Sequence, residues 1–177
     1  MTAGRYREDG SGLKKIKTID LFAGIGGIRK GFELAYKNRI DNIFTSEVDK
    51  YAIETYLHNW PEEKIFGDIT KLKTDEIDKT IGDHDLLMAG FPCQPFSQAG
   101  LKKGINDSRG TLFFDIERIL KYHKPSCFIL ENVEGLVKHD LVNKNDSIGY
   151  TLTLILKKLR EIGYNVNWRV LNSLDFG

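Results

Sequence analysis

Short apolar runs alternate with amphipathic stretches along most of this chain, and no other feature constrains its fold as strongly. Residues 17–22, Lys17-Thr18-Ile19-Asp20-Leu21-Phe22, read as a first strand that runs into a glycine cluster. Residues 27–37 then carry Ile28, Phe32 and Ala35 at helical spacing. A second strand is expected over 42–47. Asp49 is placed to cap the helix that follows, whose apolar stripe is Ile53, Tyr56, Leu57 and Trp60. A short third strand falls at 64–66 and a fourth at 85–89. A helix with Leu112, Phe113, Ile116, Ile119 and Leu120 on its inner face precedes a fifth strand at 126–131. The last helix, over 150–162, has Leu152, Ile155, Leu156, Leu159 and Ile162 at helical spacing and Gly163 as its stop. Tyr164, Val166, Trp168 and Val170 alternate with Asn165, Asn167 and Arg169, the pattern of a half-buried strand. Alternation of this kind builds a parallel sheet covered on both faces by helices.

In such sheets, ligands bind beyond the carboxyl ends of the strands. Four features fall there: the glycine cluster after the first strand, Glu47 after the second, Cys93 after the fourth and Glu131 after the fifth. Cys93 stands out. It lies between Pro92 and Pro95, just past the apolar run Leu86-Leu87-Met88-Ala89. Each proline fixes its own φ and pushes its predecessor toward extended geometry. A thiol held on a stiff turn at a strand end is placed to react, whereas a packing thiol sits inside the strand. Cys127, within Ser126-Cys127-Phe128-Ile129-Leu130, fits the packing pattern.

Asp20-Leu21-Phe22-Ala23-Gly24-Ile25-Gly26-Gly27 is a strand entering a glycine turn and a helix, and Glu47 follows about twenty residues later. That is where an acidic residue bonds ribose hydroxyls. Many nucleotide-binding folds share the pattern. The third position of a G-x-G-x-x-G/A fingerprint is here Arg29, which disfavours a dinucleotide, and no P-loop motif is present. An adenosine cofactor without a pyrophosphate fits better, and S-adenosylmethionine is the obvious candidate. Asp68 is placed to accept a bond from an adenine amino group; as an isolated Asp beside Gly67 and near Thr70, it is equally a turn or cap residue.

Composition narrows the class. The chain has 177 residues, 41% hydrophobic and 29% charged, with two cysteines and a net charge of +1. That is enough for one domain with a core. Two cysteines give no disulfide framework, which points to a reducing cytoplasm. No apolar run approaches a membrane span, and no membrane partner or metal is expected. A near-neutral charge argues against strong duplex binding by this chain alone. Residues 1–12 read as a flexible leader or an expression remnant, and 13–177 as the domain. The loop over 91–110 has the length of a functional segment.

Gly90-Phe91-Pro92-Cys93-Gln94-Pro95-Phe96-Ser97, Arg109-Gly110-Thr111-Leu112-Phe113-Phe114 and Glu131-Asn132-Val133 follow the glycine motif in order and spacing. Over 17–177 the chain resembles the cytosine-5 DNA methyltransferases, especially those of bacterial restriction–modification systems. The resemblance implies an α/β, Rossmann-like, doubly wound and mostly parallel sheet of the S-adenosylmethionine-dependent type, truncated at its C-terminal side. It implies methyl transfer to C5 of a cytosine flipped out of duplex DNA. Cys93 matches the nucleophile that adds to C6, and Glu131 the glutamate that contacts N3 and the amino group. The cofactor positions correspond to Asp20, Phe22, Gly24, Gly26, Gly27, Glu47, Val48, Asp68, Ile69, Gly90, Pro92 and Leu112. DNA contacts correspond to Gln94, Ser97 and Arg109, with 97–108 as a closing loop that carries Lys102 and Lys103 and has Gly100 and Gly104 as hinges.

In the family, a Pro-Gln-x-Arg-x-Arg segment, a recognition region and a final helix come after the position of Gly177. The resemblance therefore implies a C-terminal half or second subunit as a partner beside duplex DNA. Three readings stay open at this point: the catalytic half of a methyltransferase, an inactive or regulatory cofactor-binding fragment, and an RNA (tRNA) cytosine-5 methyltransferase.

Overall fold

A computed structural model describes residues 14–92, 112–143 and 146–177. The expected leader and nearly all of the expected 91–110 loop lie outside these residues. The chain forms two compact units, one of Met1–Phe91 with Tyr122–Glu131, the other of Pro92–Lys121 with Asn132–Gly177.

The first unit is built on a five-stranded sheet. Its strands are β1 (Ile16–Leu21), β2 (Ile40–Ser46), β3 (Ile65–Phe66), β4 (Leu86–Gly90) and β5 (Cys127–Glu131). Helices α1 (Gly27–Tyr36), α2 (Lys50–Asn59) and α3 (Ile77–Ile81) connect them. The order is β3-β2-β1-β4-β5, and every pair is parallel. The chain thus winds outward from β1 to β3, then returns to the other side of β1 with β4. That reversal makes the carboxyl ends of β1 and β4 the switch point where such sheets bind ligands.

Burial follows strand position. In β1, Thr18, Ile19, Asp20 and Leu21 are all buried, and so are Leu86, Leu87, Met88 and Ala89 of β4. Four consecutive buried residues mean that both faces of a central strand are covered. In β5, at the edge, exposure alternates and Ile129 is 42% exposed. Cys127 opens this edge strand and is exposed, which corrects its reading as a packing residue. With a neighbour on one flank only, its side chain is left uncovered. Partial desolvation of the sulfur, followed by the nearby Asp85 charge, still raises its thiol pKa above the ordinary value.

Helices α1 and α2 form where expected, with an adjustment to the buried face of α1, whereas the sequence pattern did not mark α3. Asp49 caps α2 by accepting a bond from the Ala52 N–H at 2.8 Å. In α1, Ile28 and Phe32 are half-buried but Ala35 is exposed, and the buried residue is Arg29. Helix α4 (Leu112–His123) has Phe113, Ile116, Ile119 and Leu120 buried as expected.

In the second unit, α5 (Tyr150–Ile162) buries Leu152, Ile155, Leu156 and Leu159. Its start is tied to the preceding segment: Gly149 N–H bonds the Val137 carbonyl at 2.7 Å, and Thr151 Oγ1 donates to Asp140 at 3.1 Å. A side chain on Gly149 would collide with the His139 backbone. Gly163, at φ +112°, ends the helix, and Tyr164 N–H reaches back to the Leu159 carbonyl. The alternating residues that follow are not a strand. Among the described residues no strand pairs with them, and Trp168, Val170 and Leu171 are 46%, 45% and 63% exposed. A period of two becomes a strand only when a partner supplies the hydrogen-bond ladder.

Candidate active site at the carboxyl end of the sheet

The turn after β1 is tightly wound. Phe22, Gly24 and Gly26 all have positive φ, at 53°, 55° and 87°. Gly26 meets a double requirement, because a Cβ there would also overlap the Trp60 ring. Phe22 holds its left-handed conformation without being glycine, a strain that tends to occur at functional sites. The turn is pinned to β2 by Ala23 N–H bonding the Ser46 carbonyl at 3.1 Å. Above Gly24 and Gly27 a Cβ would meet nothing within 4 Å, so the backbone here faces open space.

Glu47 leaves β2 beside this turn, and backbone N–H groups fix its carboxylate. Gly24 donates to Oε2 at 2.7 Å, while Val48 and Asp49 donate to Oε1 at 2.7 and 2.8 Å. A carboxylate has about four acceptor positions, so capacity remains for a ligand hydroxyl. Val48 and Ile25, 67% and 61% exposed, place apolar surface nearby in sequence on either element. An acceptor pinned in place, exposed apolar side chains and open backbone fit an adenosine ligand.

Asp68 does what an isolated Asp commonly does. It caps a single 3-10 turn (Ile69–Lys71), accepting from Thr70 N–H at 3.0 Å and Thr70 Oγ1 at 2.7 Å. The Thr70 hydroxyl is the main reason its pKa lies below the ordinary carboxylate value. Ile69 is 2% exposed and belongs to the core.

Asp20 is not presented to solvent either. It is 1% exposed and accepts from the Tyr56 hydroxyl at 3.3 Å. Burial pushes its pKa up to about 7, against the partial opposition of the Tyr56 bond and the Arg29 charge. Tyr56 belongs to a buried polar network that the sequence pattern did not reveal. Its hydroxyl lies 3.0 Å from Arg29 Nη1 and 3.2 Å from Thr45 Oγ1. Burial, followed by the Asp20 charge, raises its own pKa. Arg29 also bonds Glu63 Oε2 at 2.6 Å and Glu33 Oε1 at 2.9 Å, and its guanidinium lies 4.4 Å from the Trp60 ring centre. Burial alone would lower the guanidinium pKa; the bonds to Tyr56, Glu63 and Glu33 more than reverse this. One signal was available in the sequence: Arg29 occupies a fingerprint position that close helix packing reserves for a small residue.

Across the switch point, Gly90 and Glu131 stand side by side at the ends of β4 and β5. A Cβ on Gly90 would be 3.4 Å from Glu131 Oε2 and 3.8 Å from both Ile28 Cδ1 and the Phe22 carbonyl oxygen. These are ordinary contacts, so packing alone does not demand glycine. The Glu131 side chain therefore borders a methyl-sized space at the end of β4, which Phe22 and Ile28, on either side of the glycine turn in sequence, also line. In the second unit, Pro92 is exposed and Leu112 is the half-buried first residue of α4. Cys93, Gln94, Ser97 and Arg109 lie outside the described residues, as do Lys102 and Lys103.

A family model described as C-5 cytosine-specific DNA methylase matches residues 16–177. The Type II methyltransferase M.NlaIV of Neisseria lactamica is 53% identical over 168 residues, which are 93% of this chain and 39% of that protein. M.NlaX, a Type II methyltransferase of the same organism, is 57% identical over 161 residues, 91% of this chain and 48% of that protein. Among solved structures, the Entamoeba histolytica methyltransferase EhMeth gives a TM-score of 0.70 at 22% identity, over 93% of this chain and 49% of that one. At this identity the likeness bears on the fold. The chain spans less than half the length of these curated relatives.

Proposed function

This chain belongs to the C-5 cytosine-specific DNA methylase family, and we propose that it forms the catalytic and cofactor-binding part of a DNA (cytosine-5-)-methyltransferase. One observation carries the reading. Glu131 stands beside Gly90 at the carboxyl end of the sheet, with the turn that holds Glu47 across the switch point. Two carboxylates thus share one end of one sheet, which supports reading Glu131 as directed at the base and Glu47 at the ribose.

Glu47 would hold the ribose of S-adenosylmethionine, the open backbone of Gly24 and Gly27 would lie along it, and Asp68 would reach the adenine. When bound, the cofactor supplies an electrophilic methyl group to C5 of the cytosine. The remaining chemistry belongs to the chain. Cys93 follows Gly90 by three residues, and its thiolate adds to C6 of a flipped-out base. Glu131 delivers a proton to N3, so that addition leaves C5 enamine-like and nucleophilic. Water would take the C5 proton, the freed electron pair would form the C5=C6 bond and expel the Cys93 thiolate, and N3 would return its proton to Glu131. Gln94, Ser97 and Arg109 would contact the DNA. The Type II designation of the relatives supports a restriction–modification setting. Sequence recognition would come from the portion those relatives carry beyond the matched stretch, supplied by the same polypeptide or by a second one.

The test is duplex DNA carrying 5-fluorocytosine, offered with S-adenosylmethionine to this chain together with that C-terminal portion. Fluorine at C5 blocks elimination, so a stable protein–DNA adduct accumulates. Cys93→Ser is expected to form none, and Cys127→Ser to form it normally. An adduct with the Cys93→Ser protein overturns the assignment.

A further inference from the structure

The geometry of the buried network carries a role for a residue outside the catalytic set. We propose that Arg29 is a positioning residue for the cofactor turn, holding residues 24–27 and through them Glu47 in ligand-ready geometry. This rests on the cofactor reading above.

The guanidinium joins three parts of the first unit. It reaches Glu33 within α1, Tyr56 on α2 and Glu63 just before β3, at 2.9, 3.0 and 2.6 Å. Tyr56 extends the connection to Asp20 of β1 and Thr45 of β2. Glu63 extends it to Thr45 and Asn42 at 3.1 and 3.2 Å. Every strand and helix bordering the glycine turn on this side is therefore tied to one side chain.

Trp60 transmits this order to the turn. Its ring is stacked by Arg29 and lies 4.6 Å from the Tyr56 ring, and its Nε1 donates to Glu33 Oε1 at 2.9 Å. Gly26 runs against the same ring so closely that no side chain fits between them. The ring plane thus sets how deep the turn sits. Two residues earlier, the Gly24 N–H makes the 2.7 Å bond that fixes Glu47 Oε2. Displacing Trp60 would shift Gly26, and with it the donor that aims the carboxylate. Lysine cannot replace this arginine, because a point charge cannot stack on the ring while bonding three partners in a fixed fork.

The experiment uses this chain, its Arg29→Lys and Glu63→Gln variants, and S-adenosylmethionine as the probe. Two measurements are made: amide hydrogen exchange without ligand, and affinity by calorimetry. In Arg29→Lys, exchange at Gly24 and Gly26 is expected to accelerate at least tenfold while Leu87 and Met88 in β4 change little. Affinity is expected to fall at least tenfold. Glu63→Gln, which keeps an acceptor for the guanidinium, should show both effects in weaker form. A uniform rise in exchange across the first unit would mean that Arg29 serves stability alone and would overturn the inference. So would unchanged Gly24 exchange, or affinity within twofold of the parent. If the parent binds no S-adenosylmethionine while the exchange pattern appears as expected, the cofactor reading fails and the positioning of the turn stands.

Discussion

The two flanks of the sheet are built on different principles. On the β1–β2 side, polar and charged groups are taken out of water and hydrogen-bonded to one another: Arg29 is 8% exposed, Asp20 1% and Tyr56 0%. On the β4–β5 side, the backbone ladder is complete but the last strand leaves Cys127, Ile129 and Glu131 exposed. The first arrangement fixes a turn and a carboxylate before any ligand arrives. The second presents a carboxylate with freedom to meet one. Preorganisation of this kind reduces the cost of binding a ligand at the β1–β2 flank, whereas the edge strand leaves alternate side chains open to solvent.

The largest expected effect tests whether the β1–β2 flank holds Asp20 buried as described. Burial raises Asp20 to about 7 from the ordinary 3.8. The folded chain then keeps a proton that the unfolded chain releases above about pH 4. The carboxyl therefore contributes stability that is fully present below pH 4 and lost as pH rises through 7. Urea unfolding of the parent and Asp20→Asn should show their stability difference falling by about 4 kcal/mol over that window. Parallel curves would break the comparison.

A matched pair of isoleucines sharpens it. Ile19 of β1 is 0% exposed and Ile129 of β5 is 42% exposed. Ile19→Ala should cost about 2–5 kcal/mol, and Ile129→Ala about 1 kcal/mol or less. Equal losses would mean that the edge strand is as fully covered as the centre.

The smallest effect on stability accompanies a large one on function. Glu131→Gln should change unfolding free energy by no more than about 0.5 kcal/mol, because the carboxylate is exposed. Methyl transfer to duplex DNA by the complete protein should fall by about 10²-fold or more. A strongly destabilised variant would show that Glu131 holds the sheet together, not the substrate.

Much of this arrangement was legible in the chain. The strand–helix alternation, the Asp49 cap, the Gly163 stop and the placing of Glu47 and Glu131 at strand ends are all local patterns. Periodicity and turn chemistry act over a few residues, so the sequence by itself determines them. Residues 164–170 show the limit, because alternation specifies a face but not a partner. Cys127 shows it again: its apolar setting is the same whether the strand is central or at an edge, and only the strand order decides its exposure. Asp68 makes the local cap that its setting allows, through Oδ1 to the Thr70 N–H and hydroxyl, and this cap does not by itself decide what else the carboxylate meets. The network around Arg29 was decided entirely by tertiary structure. Apart from Glu33, one helical turn away, Arg29's hydrogen-bond partners Tyr56 and Glu63 lie 27 and 34 residues along the chain. Each of those side chains, read alone, is an ordinary surface charge or a member of an apolar stripe. Only folding brings them together away from water, where the bonds to Arg29 outweigh its desolvation while burial still prevails at Asp20.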